Sequence, residues 1–331
     1  MVGLKTLLEN KWVKSFLKFV HNRGKGILER VDLGFLNDLF QKGESERGRP
    51  PTYRPEQNFK AVVYGYAQGK YEATEIARLM EDGVARSVCG YMEGTPSHDT
   101  LSRFLRKISK VVEKVFKRLV KQIKKLGITT GEEQVIDGTS IETRFKSDPD
   151  AKWNWDSTEN EYYWGYGLLQ VVCPHTHLPL AALFTDGKHV TASQSVQALK
   201  QAGEVFSPRW VIGDGEFDAL EVHGHVLGCG GIPVIRYNPR NTRNPPPIKF
   251  RVQLWLDKPP EWLEEKYRHR SEVEHAISSL KEGFGLEKFS VKGGNGVKTH
   301  IFLCLILRLM HAIACHKHNP LANVRKTLTL L

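Results

Sequence analysis

At Gly127 the apolar period of the chain changes, and that change constrains the fold more than any other feature. Before it, Leu101, Phe104, Leu105, Ile108, Val112, Val115, Leu119, Ile123 and Leu126 recur at the three- and four-residue steps of a helix. Beyond it, "EEQVIDGTSIETRF" alternates, with Val135, Asp137, Thr139 and Ile141 on one face, as a strand does. "GYGLLQVVC" and "LPLAALFTDG" then read as buried strands joined by the turn-like "PHTH". A helix over 192–202, the strand "RWVIGD", a helix starting near Asp218 and the strand "IPVIRYN" follow, with Pro233 marking an edge position. This order predicts an α/β domain: a mixed five-stranded sheet flanked by helices, half of it hairpin-joined and antiparallel, half linked by helical crossovers.

Ahead of that domain the pattern is helical. Residues 1–42 show amphipathic spacing (Leu4, Leu7, Leu8, Trp12, Phe16, Phe19), and the polar "KGESERGRPPTYRPE" reads as a linker. From residue 57 to 126 helices are expected again, broken at Asp82-Gly83 and at "GTPSHD", where Ser97 or Asp99 would cap the next one. The boundary expected is an all-helical domain over 1–130 and an α/β domain over 131–331. A helix-turn-helix over about 72–126 suits the pattern, as does an ordinary helical bundle. The spacing predicts one long helix over 100–126, on which Arg103, Lys107, Lys110, Lys114, Lys117, Lys121 and Lys124 form a stripe of one sign, with Glu113 the lone acid. Like charges at i and i+4 oppose a helix, so such a stripe points to a compensating polyanion.

The whole chain agrees with that partner. Its 331 residues carry a formal charge of +11, which favours nucleic acid over an anionic membrane surface. The first residues have charges among their apolar positions and do not read as a signal peptide. The run "IFLCLILRLMHAIAC", at about 15 residues and carrying Arg308, is short for a membrane span and reads as a buried helix. Five widely spaced cysteines imply no disulfide framework, and the cytoplasm is the expected address. "CPHTH" (Cys173, His175, His177) and "CHKH" (Cys315, His316, His318) hold zinc-type ligands, though such alternation is more often incidental.

Three carboxylates stand out. Asp137 lies in the first strand, inside "VIDGT"; Asp214 follows the fourth, inside "VIGDGEFD", at the strand end where open α/β sheets place active sites. Each alone reads equally well as a turn aspartate ahead of glycine. The third is in "YRHRSEVEHAISSLK", within a helix expected over 262–284. At about 100° per residue Tyr267, Arg270, Glu274 and Lys281 share a face, and Glu272 falls opposite, where its replacement should be nearly silent. Val273, Ile277, Leu280 and Phe284 form the neighbouring stripe that would dock this helix on the sheet. Clustered carboxylates repel unless bridged by cations, and all-oxygen ligands point to Mg²⁺ or Mn²⁺. Two such ions about 4 Å apart can activate a water or a 3′-hydroxyl and stabilise the leaving oxygen in phosphodiester displacement.

At these residues the chain resembles the insertion-sequence transposases of the DDE class that carry a Tyr-x2-Arg-x3-Glu-x6-Lys signature, read here as Tyr267, Arg270, Glu274 and Lys281 with every interval matching. "VIDGT" and "VIGDGEFD" are similar to the other two family motifs, and "YAQGKYEATEIARLM" and "PSHDTLSRF" look like the family's N-terminal DNA-binding region. The resemblance implies a ribonuclease H-like fold, Asp137, Asp214 and Glu274 as ligands to two Mg²⁺ or Mn²⁺ ions, and Tyr267, Arg270 and Lys281 on DNA near the cleaved phosphate. It further implies nicking of double-stranded element ends, transfer of the freed 3′-hydroxyl to target DNA, and a homodimer bridging two ends on the nucleoid. A non-catalytic DNA-binding relative and a ribonuclease H-like nuclease without strand transfer are the alternatives. The short insertion at about 239–261 offers Arg240, Arg243, Lys249 and Arg251 to DNA, and Trp255 to an extruded base or to the core. His311 stands where an asparagine is more usual.

Overall fold

The alternating residues of the first strand decide the architecture. In the computed structural model, which describes residues 24–41, 52–156, 160–238, 259–320 and 324–325, β1 (Glu133–Glu142) is central. The amphipathic pattern read within 1–23 and most of the basic insertion, with Arg240, Arg243, Lys249, Arg251 and Trp255, lie outside the described residues. β1 pairs antiparallel with β3 (Glu161–Cys173), so that Val135 faces Val172, Asp137 faces Gln170 and Thr139 faces Leu168. Two strands share the far edge of β3: β2 (Lys152–Asp156) along its start and β4 (Leu178–Thr185) along its end. On its other side β1 pairs parallel with β5 (Trp210–Gly213), which pairs parallel with β6 (Ile232–Ile235) at the edge, the place expected from Pro233. α7 (Ala192–Gly203) and α8 (Leu220–Gly228) make the crossovers. Three antiparallel strands beside two parallel ones is the ribonuclease H-like order. The five expected strands are present, and β2 is a sixth that "KWNWD" did not announce.

β3 is threaded close to its neighbours by two glycines. A Cβ on Gly165 would fall 2.1 Å from the Ile141 carbonyl oxygen, and one on Gly167 would fall 1.8 Å from that of Gly187. Backbone rather than a flexible side chain blocks both positions. Gly167→Ala is therefore expected to cost roughly 2–3 kcal/mol, read as a lower urea midpoint at unchanged slope.

After a helical stretch over 24–30, the helical part runs through α1 (Phe35–Gln41), α2 (Pro55–Ala67), α3 (Ala73–Leu79) and α4 (Gly83–Cys89), followed by α5 (His98–Ile108) and α6 (Val112–Lys125). Asp82 caps α4 by accepting from the Val84 and Ala85 amides, and Ser97 caps α5 by accepting from that of Thr100. The single helix expected over 100–126 is thus two. Ser109 Oγ donates to the Arg106 carbonyl at 2.7 Å, and the Val111 amide reaches back three residues to Ile108. A serine bonding its own backbone next to a β-branched pair ends one helix and lets another begin.

The expected helix over 262–284 is also two, α9 (Glu261–Arg268) and α10 (Ser271–Gly283). Through the joint the amides of His269, Arg270, Glu272 and Val273 each bond three residues back, and Ser271 Oγ donates to the Arg268 carbonyl. Leu263 of α9 and Val273, Ala276 and Ile277 of α10 pack with Val135, Val172, Ile212 and Val234 from four strands. Each such aliphatic side chain contributes roughly 1.5–3 kcal/mol by leaving water, and that seam holds both helices on the sheet.

The chain packs as two compact units, one of residues 1–116, 282–291 and 295–331, the other of 117–281 and 292–294. The division falls within α6 rather than at 130. The final helix, α11 (Gly294–His318), groups almost wholly with the N-terminal helices instead of the sheet. Its length and composition would suit a membrane span, but 94% of its most apolar window is buried inside the protein. A helix apolar on every side needs covering on every side. Within its unit Phe302 meets Phe116, and His311 meets Phe284. Arg308 is 1% exposed; it donates to the Val324 carbonyl at 2.8 Å, and burial pushes its pKa down to about 10.

Candidate active site

Asp137, Asp214 and Glu274 come from three elements of the sheet unit, and each is placed by a local cause. Asp137 sits in mid-β1 on the face of Val135 and Thr139, its Oδ1 accepting from the Gly138 amide at 2.9 Å. Asp214 directly follows β5 and caps a 3₁₀ turn (Gly215–Phe217), its Oδ1 accepting from the Glu216 amide at 2.8 Å. Glu274 lies in the first turn of α10, carried to the sheet by the Val273 and Ile277 contacts beside it.

Arg270, at the joint of α9 and α10, lies among the three. Its Nη1 donates to Glu274 Oε1 at 2.7 Å, and its Nη2 is 3.5 Å from Asp214 Oδ2. Burial opposes its charge, and Asp137, Asp214 and Glu274 together outweigh that opposition. Burial also pushes up the Asp137 carboxyl, Arg270 works the other way, and Asp214 and Glu274 add repulsion, leaving its pKa at about 6. The arrangement is that of three mutually repelling carboxylates around one cation.

Two polar groups in these surroundings lack partners. Arg270 Nε is buried without a hydrogen bond, as are both side-chain polar atoms of Gln170. Gln170 is the cross-strand partner of Asp137 and shares its face. A donor set made only of oxygen suits a hard divalent ion, and a water on such an ion would donate to Gln170 Oε1, while Arg270 Nε and Gln170 Nε2 are donors that call for an acceptor.

Of the other predicted residues, Tyr267 is on α9, half-buried against the apolar seam, with the Arg236 guanidinium 5.3 Å from its ring centre. Burial raises its phenol pKa. Lys281 is in the last turn of α10, roughly 10 Å along the axis from Glu274. Arg103 and Lys107 are on α5, Lys110 in the joint, and Lys114, Lys117 and Lys121 on α6, so the basic stripe is interrupted. Lys117 is neutralised by Glu204 at 3.1 Å, whereas Glu113, the lone acid there, is taken up by Lys298 of α11 at 2.9 Å and not by the stripe.

Glu272 points elsewhere, to His177 Nε2 at 2.6 Å. This pair is only partly exposed, so Glu272→Gln carries a stability cost that the helical wheel does not show. It should lower stability by about 1 kcal/mol in a thermal or urea melt while leaving any activity at Asp137, Asp214 and Glu274 unchanged. Cys173, His175 and His177 do not converge as the zinc reading of "CPHTH" required. Cys173 is buried and accepts from Thr129 Oγ1, and the two histidines diverge to different partners. Among the described residues, the three metal-ligand-type side chains whose ligand atoms lie within 4.8 Å of one another are Glu133, His175 and His269. Glu133 and His269 carried no recognisable signal in the sequence, being 136 residues apart with no motif that links the two.

A ribonuclease H-like sheet with a carboxylate on its central strand, one at the end of the adjacent parallel strand and one on the helix docked beside them defines the class of protein at hand. Residues 129–310 match the family described as "Transposase DDE domain", and residues 16–107 match "Transposase domain (DUF772)". Two Halobacterium salinarum proteins, from strains R1 and NRC-1, are each described as "Probable transposase for insertion sequence element ISH11". Each is 31% identical over 324 residues, covering 95% of this chain and 97% of its own. The chain belongs to the DDE transposase family. Among solved structures it is similar to a piggyBac transposase synaptic complex with hairpin DNA (TM-score 0.43, 12% identity, 93% of this chain and 77% of that one). It is also similar to a Mos1 transposase paired-end complex (TM-score 0.22, 10% identity, 77% of this chain and 89% of that one).

Proposed function

We propose that this chain is the transposase of an insertion sequence, cutting double-stranded DNA at the element's ends and joining the freed 3′-hydroxyl to target DNA. The observation that carries the reading is the meeting of Asp137, Asp214 and Glu274 around Arg270. In this reading the three carboxylates hold two Mg²⁺ or Mn²⁺ ions, which supply activation of the attacking hydroxyl and stabilisation of the leaving oxygen.

The residues of the chain then have distinct roles. Arg270 balances the carboxylates while no metal is bound. With the carboxylates otherwise neutralised, its guanidinium is released to a backbone phosphate, a partner that suits its planar fork. Tyr267 and Lys281 complete the Tyr-x2-Arg-x3-Glu-x6-Lys signature, with Lys281 reaching a more distant phosphate. Arg103, Lys107, Lys110, Lys114, Lys117 and Lys121 contact the backbone of the bound ends in a sequence-independent way, and Arg240 and Arg243 add to that contact. A homodimer acting on the nucleoid in the cytoplasm would hold two ends together.

The test uses the genomic DNA flanking the gene as substrate, with a labelled target duplex and Mg²⁺. Nicks at inverted repeats followed by joined products are expected. Binding without nicks would favour a non-catalytic relative, and nicks without joined products would favour a nuclease.

A further inference from the structure

We infer that Glu133, His175 and His269 form a second cation site, for Zn²⁺ or another divalent ion that favours nitrogen ligands, separate from the carboxylate cluster. The three come from different parts of the sheet unit: Glu133 opens β1, His175 lies in the β3–β4 turn, and His269 lies in the joint between α9 and α10. His175 Nε2 is 3.0 Å and His269 Nδ1 2.7 Å from the same oxygen, Glu133 Oε2. The imidazole rings are 5.3 Å apart and 78° from parallel, so they do not stack, and each turns a nitrogen to the shared point.

Charge balance alone does not call for this arrangement. Lys266 already pairs with the other carboxylate oxygen, Oε1, and supplies the countercharge. Two further imidazoles on one oxygen are more than that pairing needs. Two imidazoles and a carboxylate are a donor set that zinc uses when one coordination position stays open, and nitrogen donors select Zn²⁺, Co²⁺ or Ni²⁺ over Mg²⁺. Burial raises the Glu133 carboxyl pKa, but Lys266, His269 and His175 outweigh it and hold the group below its usual value, in the ligating form. The His175 side chain is 55% exposed, which leaves an entry path.

The consequence is positional. Glu133 and Asp137 share a face of β1, four residues or roughly 13 Å apart, so the ion would stand away from the reacting groups. It would pin His269, and with it the joint that carries Arg270, to β1 and the β3–β4 turn.

Co²⁺ titration of the metal-free full-length chain tests this without any DNA, so its outcome is independent of the proposed activity. The expected result is one equivalent of Co²⁺ giving intense visible bands of a four- or five-coordinate, nitrogen-ligated ion. The bands should be displaced by Zn²⁺, lost in His175→Ala and His269→Ala, and retained in Glu274→Gln. Because His175 is exposed in a turn, His175→Ala should fold, with an EDTA melting temperature equal to wild type. Zn²⁺ should raise the melting temperature of the wild type and not of this variant. Absence of such bands, or bands that survive both histidine substitutions, would overturn the site.

Discussion

Glu274→Gln and Asp214→Asn are each expected to lower Mg²⁺-dependent nicking of element-end DNA by at least about a thousandfold, equivalent to about 4 kcal/mol of transition-state stabilisation. Both changes keep the shape of the side chain and remove one negative charge. Glu274 is 55% exposed and its partner Arg270 retains Asp214, so the lost pair should cost the fold no more than about 1 kcal/mol. Duplex binding, proposed above to rest on cations elsewhere, should be unchanged in a mobility-shift assay. A Glu274→Gln protein that nicks at the wild-type rate would remove Glu274 from the site.

Asp137→Asn is expected to do the opposite to stability and the same to activity. In the metal-free protein this carboxyl titrates near 6, against 3.8 for an unperturbed aspartate. The folded chain therefore holds a proton that the unfolded chain has released, so stability falls as pH rises from about 4 to 6 and stays reduced above. Two pKa units correspond to about 3 kcal/mol, and the neutral amide should recover roughly 1–3 kcal/mol of that at pH 7.5 in EDTA. Urea unfolding of wild type and variant, with and without Mg²⁺, reads it directly. Mg²⁺ should stabilise the wild type and leave Asp137→Asn where it was. Equal stability of the two in EDTA would show that the charge of Asp137 is not repelled in the folded chain.

The parts of the fold legible in advance were those written in local pattern. Val135, Asp137, Thr139 and Ile141 alternate because β1 presents one face to α9 and α10, and Pro233 belongs to an edge because proline lacks a donor. Asp82 and Ser97 mark helix starts by the amides they accept from. What escaped was set by contacts between distant segments. An unbroken helical pattern over 262–284 hid the joint at Arg270, because the period says nothing of His269 being tied to Glu133. With Tyr267 on α9, one helical wheel cannot relate it to Glu274; the Arg270–Glu274 pair survives because its two residues remain one turn apart. β2 escaped because Trp153 and Trp155 face outward, giving "KWNWD" no buried alternation. The grouping of α11 with the N-terminal helices is a choice of partner that its uniform apolarity leaves open.

The central claim is that Asp137, Asp214 and Glu274 exchange the guanidinium of Arg270 for divalent metal when DNA is bound. Anomalous diffraction from a Mn²⁺ complex with a duplex carrying the element's end tests it most directly. The prediction is Mn²⁺ peaks bounded by these three carboxylates, with Arg270 turned to a phosphate. Arg270 still lodged between Asp214 and Glu274, with no Mn²⁺ against Asp137, would contradict it.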